Sequence, residues 1–321
     1  MEGVIDGWML DGEGGAEDIR DRLPDALDNP TGVFWLHLDR QAPGMRDFLL
    51  ERLGIEPMIV EALLAEDTRP RCDTYHEGLL LNLRGVNLNP GANPEDMLSV
   101  RIWSTGSFIV SLRRFKLMSI DELRQRLRRG DGPRNAAEVI ADLANALADR
   151  IAPVLLGLHD RLDEMEGEAA AGAGQKVRND LNEIRGQIIA LRRFISPQQV
   201  ALSQVASIAL GWFPEDQRMQ IRAALDDITR HVEDLDSLRD SAGIIRDEIS
   251  NAISERLNSN MYVLAIISVV FLPLSFLTGL LGINVAGIPG SEYDYAFMIV
   301  CALVVLGGLA EIAILKWRGW F

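Results

Sequence analysis

Histidine and cysteine are scarce in this chain, four and two among 321 residues. Cys72 lies in a polar stretch and Cys301 in a strongly apolar one, so a disulfide framework is excluded and a reducing compartment fits. The chain also lacks a P-loop, a G-x-S-x-G and an H-E-x-x-H, so no catalytic residue and no ATP site are expected. Basic residues are outnumbered, 32 against 47 acidic ones, for a formal charge of −15. That balance argues against a nucleic-acid partner. It suits either a protein that attracts cations or a solvated acidic surface. The N-terminus, MEGVIDGWMLDGEGG, has no basic stretch leading into an apolar one. No signal peptide is expected, and the large N-terminal part is expected in the cytoplasm.

Two long apolar runs are present. MYVLAIISVVFLPLSFLTGLL, residues 261–281, has no charged residue. At ~1.5 Å per residue it reaches ~30 Å, the thickness of a bilayer's hydrocarbon core. YAFMIVCALVVLGGLAEIAIL, residues 295–315, is similar, with one acid, Glu311. Two adjacent runs of this length point to two transmembrane helices rather than a buried soluble hairpin. Arg246 and Arg256 precede the first, Lys316 and Arg318 follow the second, and the loop 282–294 has neither Lys nor Arg. The positive-inside rule then puts both chain ends in the cytoplasm. Trp317, Trp320 and Phe321 fall at the inner interface and Tyr293 and Tyr295 at the outer one.

The first ~115 residues alternate strand-like and helix-like stretches. VFWLHLD (33–39), GLLLNLRGV (78–86), MLSVRIW (97–103) and SFIVSLRR (107–114) read as strands. RDFLLERLG (46–54) and EPMIVEALLAE (56–66) read as short helices. Ser104-Thr105-Gly106 marks a hairpin turn. From about Ile120 the chain turns helical, with long helices expected over 135–171 and 175–207. After Gly211-Trp212-Phe213-Pro214 no proline occurs until Pro273, and one helix is expected from about Glu215 to about Leu281. Ile221, Leu225, Ile228, Val232 and Leu235, spaced 4, 3, 4, 3, suggest its coiled-coil seam.

A second stripe runs along that helix. Walking back in steps of 4 and 3 gives Gly279, Ser275, Leu272, Ser268, Ala265, Met261, Asn258, Ser254, Asn251 and Asp247. Most are small or polar, and they share one face at ~3.5 residues per turn. Two readings stay open. Small residues let helices pack closely. The same hydroxyls and amides could wall a pore for a hydrated cation, which would need several copies with this helix central.

These features together resemble the CorA superfamily of divalent-cation transporters. The resemblance rests on the long helix, the span ending FLPLSFLTGLLGIN, the acidic outer loop, the second span and the short basic tail. Where the superfamily carries Gly-Met-Asn, this chain has Gly282-Ile283-Asn284. The changed middle residue, VAGIPG (285–290) and the stretch 65–103 are similar to the ZntB-type zinc transporter branch. The resemblance implies a funnel-shaped homopentamer in the inner (plasma) membrane. It implies an α+β cytoplasmic domain over 1–120, a helical stalk over 121–260, a pore-lining span over 261–281, an outer loop over 282–294, a second span over 295–315 and a tail over 316–321. It makes Gly282, Ile283 and Asn284 a selectivity ring and puts Asp247, Asn258, Leu272 and Ser275 on the pore. The implied function is uptake of zinc, with cobalt, nickel and cadmium as further cargo and proton coupling open. A magnesium channel is the alternative within the class, and a membrane-anchored oligomeric scaffold or sensor the alternative outside it. The only partners expected are further copies, metal ions and the bilayer, and no cofactor is expected beyond the transported cation.

Other candidates lie outside the pore. Glu292 and Asp294 could draw cations to the entrance. Cys72-Asp73-x-x-His76-Glu77 offers metal-ligand types at a spacing that matches no strong zinc motif. His231 reads either as a surface histidine or as a cation or proton sensor. The acids at 226–240 either concentrate cations or solvate the helix.

Overall fold

The computed structural model describes residues 3–28, 32–66, 68–170, 174–283, 288, 290 and 293–320. The chain divides into two units, residues 1–246 and 247–321.

The first unit is built on a seven-stranded sheet. Its strands are β1 (Val4–Leu10), β2 (Ala16–Asp18), β3 (Phe34–Asp39), β4 (Arg71–Tyr75), β5 (Gly78–Gly85), β6 (Leu98–Ser104) and β7 (Phe108–Arg113), in the order β2-β1-β3-β7-β6-β5-β4. Only β3 and β7 pair in parallel, Phe34 opposite Phe108 through Asp39 opposite Arg113. The central strands read as near-continuous apolar runs because both faces are covered. One face carries α1 (Leu23–Asp28), α2 (Met45–Asp47) with its π-helical continuation Phe48–Arg52, and α3 (Pro57–Leu64), whose Phe48, Leu49, Ile59, Val60 and Leu63 join Leu36, Leu38 and Val110 in one core. The hairpin around Ser104 forms as expected, its Oγ donating to Phe108 O at 2.7 Å and accepting from Gly106 N at 3.1 Å.

Three strands, β1, β2 and β4, were not anticipated. VIDGWML reads as part of an acidic, Gly-rich terminus, yet Trp8, Met9 and Leu10 are buried. Tertiary pairing with β3 overrides the local composition.

Three arginines grip one short segment. Arg101, on β6 and 2 % exposed, donates to Leu63 O at 2.7 Å. Arg40, just past β3, donates to Leu64 O at 3.1 Å and to Ala65 O. Arg84, on β5, donates to Thr68 O at 2.9 Å and Met97 O at 2.7 Å. The carbonyls at and beyond the C-terminus of α3 lack intrahelical donors and carry the negative end of its dipole, so cationic donors are the natural partners.

The helical remainder begins with α4 (Met118–Arg129), closed by Gly130 at φ 80, and α5 (Ala136–Asp149). Asn135 caps α5 by accepting from Glu138 N at 3.0 Å, while the Glu138 carboxylate accepts from Arg134 N at 2.8 Å. The single helix expected over 135–171 is two: the chain breaks at Arg150-Ile151 and resumes as α6 (Ala152–Ala170). Pro153 is the reason, since a residue without an N–H is tolerated in a first turn and not in a helix interior. The next helix, α7 (Gly174–Ser207), continues through Pro197.

The last two helices are α8 (Glu215–Leu281), 67 residues long, and α9 (Ala296–Trp317), 22 residues long. Within the first unit, the buried row of α8 is Ile221, Ala224, Ile228, His231, Leu235, Leu238, Ala242 and Ile245, spaced alternately 3 and 4. The heptad spacing is as expected, but Leu225 and Val232 are only half-buried, and their neighbours Ala224 and His231 take the seam. Adjacent positions at a heptad turn cannot be ranked by spacing alone; packing selects between them.

Candidate functional site

The candidate site lies on the second unit's part of α8. Its 18-residue apolar window is entirely unburied within the chain, as is nearly all of that of α9. Helix α9 packs on one side only. Leu274 fits against Gly307 and Gly308, where added Cβ atoms would meet its methyls at 3.8 and 3.4 Å. Tyr262 donates from its hydroxyl to Trp320 O. The less exposed residues of α8 at these levels include Ile266, Val270, Leu274 and Leu277. At ~100° per residue they lie about half a turn from Met261, Ala265, Ser268, Leu272, Ser275 and Gly279. The small and polar stripe therefore faces away from α9, with Ser268 half-buried and the others exposed. Met261 and Leu272 are each 68 % exposed, and nothing lies within 4 Å of a Cβ built on Gly279. Asp247, Asn251, Ser254 and Asn258 continue it on exposed turns.

Three hydroxyls on this part of the helix, two of them on the stripe, have spent their protons. Ser268 Oγ donates to Leu264 O at 2.8 Å, Ser254 Oγ to Ser250 O at 2.9 Å, and Thr278 Oγ1 to Leu274 O at 3.0 Å. What each oxygen presents outward is lone pairs, the ligand type that hard or hydrated cations take.

At the outer end, Gly282 N still donates to Thr278 O at 3.0 Å and Ile283 is exposed. Asn284 and Glu292 lie outside the described residues, and Asp294 is exposed in the turn before α9. The Gly307-Gly308 pair was not singled out in the sequence, although small residues side by side in an apolar run are the usual sign of close helix contact. One turn further along α9, Glu311 has an Oε2 with neither accessible surface nor a partner among the described residues.

The metal-ligand candidates of the first unit do not assemble. Among the described residues no three His, Cys, Asp or Glu side chains stand together to hold a metal. Cys72 is buried in β4 and its thiol is pushed up to about 12, which opposes the thiolate that a metal needs. His76 is exposed in the β4–β5 turn at φ 52, with Nε2 3.7 Å from Glu56 Oε1.

His231 is not a surface histidine. It is 8 % exposed, with Nε2 3.2 Å from Ala148 O, and burial lowers its pKa against the opposing pull of that carbonyl, Asp234 and Asp227. The imidazole is therefore neutral, its Nε2–H donating to the carbonyl. His37 is fully buried, with Nδ1 2.8 Å from Ser111 Oγ, which also accepts from Trp35 Nε1 at 2.8 Å. Burial, with the charges of Arg113 and Arg124, lowers its pKa to about 3. Both shifts run downward, so the unfolded chain binds protons that the fold refuses. The stability contributed is complete above the ordinary histidine value of ~6.5 and is lost as pH falls toward the folded values. The denaturation midpoint is expected to hold steady above neutrality and to decline through mild acid. His231→Leu should flatten that decline; an unchanged slope would assign the loss elsewhere.

An α/β domain followed in sequence by one very long helix with an apolar end, and then by a second apolar helix, each long enough to cross a membrane, defines a membrane protein. The chain belongs to the CorA family: the model of the CorA-like Mg2+ transporter protein matches residues 30–316. It is 39 % identical over 311 residues to the divalent cation transporter CmaX of Pseudomonas aeruginosa, covering 96 % of this chain and 93 % of that one. It is 34 % identical over 312 residues to the zinc transport protein ZntB of Pectobacterium atrosepticum, covering 96 % and 94 %. The solved structure of the full-length CmaX protein superposes with a TM-score of 0.84 at 36 % identity, over 99 % of this chain and 98 % of that one. The family is one of ion transporters, not enzymes.

Proposed function

We propose that this chain carries divalent cations, zinc foremost, through a pore that five copies build around α8. The observation that supports it best is the position of α9, which covers the side of α8 opposite the small and polar stripe. A stripe that existed for intrachain packing would face α9. Left uncovered at membrane depth, its polar groups need water or further copies of the helix. In a ring of copies with α9 outermost, Ser275, Leu272, Ser268, Ala265 and Met261 line the path, and Gly282, Ile283 and Asn284 form its outer ring. Asp294 and Glu292 raise the local cation concentration at the mouth.

Zinc is placed first because the relatives include ZntB proteins and because Ile283 replaces the family's methionine. The stripe offers oxygens rather than imidazole or thiolate, so the ion passes hydrated instead of being stripped and tightly held. The Lys and Arg distribution puts both chain ends on the cytoplasmic side of the inner membrane.

The decisive measurement is metal flux into proteoliposomes for zinc, cobalt, nickel, cadmium and magnesium in competition. Zinc entry that resists excess magnesium is the expected result. Preference for magnesium would move the assignment to a CorA-type magnesium channel, and no flux of any metal would leave a scaffold or sensor.

A further inference from the structure

The first unit holds a cleft of about 680 Å³ between the sheet and α7, within the range of small-ligand sites. Its lining reverses the sign of the chain: four arginines, Arg40, Arg84, Arg114 and Arg193, against three carboxylates, in a protein of net charge −15. Two of the four have structural work, since Arg40 and Arg84 hold the carbonyls beyond α3. Arg84 is further fixed by stacking on Phe194, its guanidinium carbon 4.0 Å from the ring centroid. Arg114 and Arg193 hold no carbonyl and no carboxylate among the described residues. Each lies exposed beside an aromatic ring, Arg114 at 5.0 Å from Phe115 and Arg193 at 5.4 Å from Phe194. Phe115 is itself 54 % exposed.

Bringing these cations together is costly. Burial and the neighbouring charge of Arg114 push the pKa of Arg40 down, only partly opposed by Glu66 and Asp39, and its Nε–H has no partner among the described residues. None of the three cleft carboxylates is ion-paired with Arg114 or Arg193 among the described residues. A multiply charged anion would relieve the repulsion, and planar guanidinium forks are suited to phosphate oxygens.

We propose that this cleft is a binding site for a soluble phosphate-bearing anion, with Arg114 and Arg193 as its two mobile clamps. A ligand that also carries a planar base can lay it on the exposed Phe115 ring. None of its residues belongs to the stripe of α8, and the proposal stands or falls without the cation path.

The test is calorimetric titration of the full-length chain in lipid nanodiscs, in magnesium-free buffer at low salt, with pyrophosphate, ATP and adenosine in turn. Both anions should bind and adenosine should not, with affinity falling as salt rises. Arg114→Ala and Arg193→Ala should each weaken pyrophosphate about tenfold, because a charge-assisted hydrogen bond is lost in each. Neither side chain supports the backbone, so the unfolding midpoint should hold in both, and Arg193→Lys should recover part of the affinity. Tighter binding of ATP than of pyrophosphate adds the ring contact; equal binding leaves the phosphate clamp alone. No heat from either anion, or affinity undiminished in both alanine variants, overturns the proposal.

Discussion

Proteoliposomes bearing Ser275→Lys are expected to pass zinc at least ~100-fold more slowly than the wild type. Ser275 is exposed on the side of α8 turned away from α9. In the proposed ring each copy would place an ammonium against the path. Two like unit charges about 4 Å apart at an effective dielectric of about 20 repel by about 4 kcal/mol, and a divalent cation is repelled by more. A barrier rise of about 2.7 kcal/mol already corresponds to ~100-fold in rate. Ser275→Ala keeps the width and removes only one oxygen, so its flux should fall by less than about tenfold. Oligomeric state by gel filtration must match the wild type in both variants. Equal flux through Ser275→Lys and wild type would take the stripe off the path.

Arg101→Ala is expected to lower the unfolding free energy by about 3 kcal/mol. The guanidinium is nearly inaccessible, and it donates to Leu63 O at 2.7 Å from the middle of the sheet. Truncation removes a charge-assisted bond, strands a carbonyl at the end of α3 and opens a cavity, and these losses act together. Arg101→Lys should recover little, because one ammonium cannot reproduce the planar fork. Thermal unfolding followed by far-UV circular dichroism reads the effect; a midpoint within a degree of wild type would show that the grip is dispensable.

The parts of the molecule dominated by one strong periodicity were legible in the sequence. Helix α8 begins and ends where the Pro214 break and the Gly279–Gly282 stretch put it. The four apolar strands came through because burial on both faces writes itself as an unbroken run. Strands β1, β2 and β4 did not: Asp6 and Gly7 dilute the pattern of β1, Ala16–Asp18 is too short and acidic to show one, and Asp73 breaks that of β4 even though its partner β5 follows in a hairpin. The break at Arg150 was legible in Pro153 and was passed over because the surrounding alanines and leucines are such strong helix formers. For the candidate site, the stripe itself could be read from spacing. Which side α9 takes could not, because that depends on the Gly307-Gly308 notch meeting Leu274. The surface reading of His231 failed for a related reason: the acids around it describe the solvent side of the helix, not the side it faces.

Leu274 follows Pro273 directly. A proline within a helix deletes one rung of the hydrogen-bond ladder, so α8 is mechanically weakest beside the point where the glycine notch braces it. Support on a single flank gives a weak point a preferred direction of bending. Movement toward α9 closes the small space that the two glycines leave in front of Leu274, whereas movement the other way meets no such stop among the described residues. Helix α9 thus supports the proline-weakened turn on one flank only, and the stripe lies on the unsupported flank.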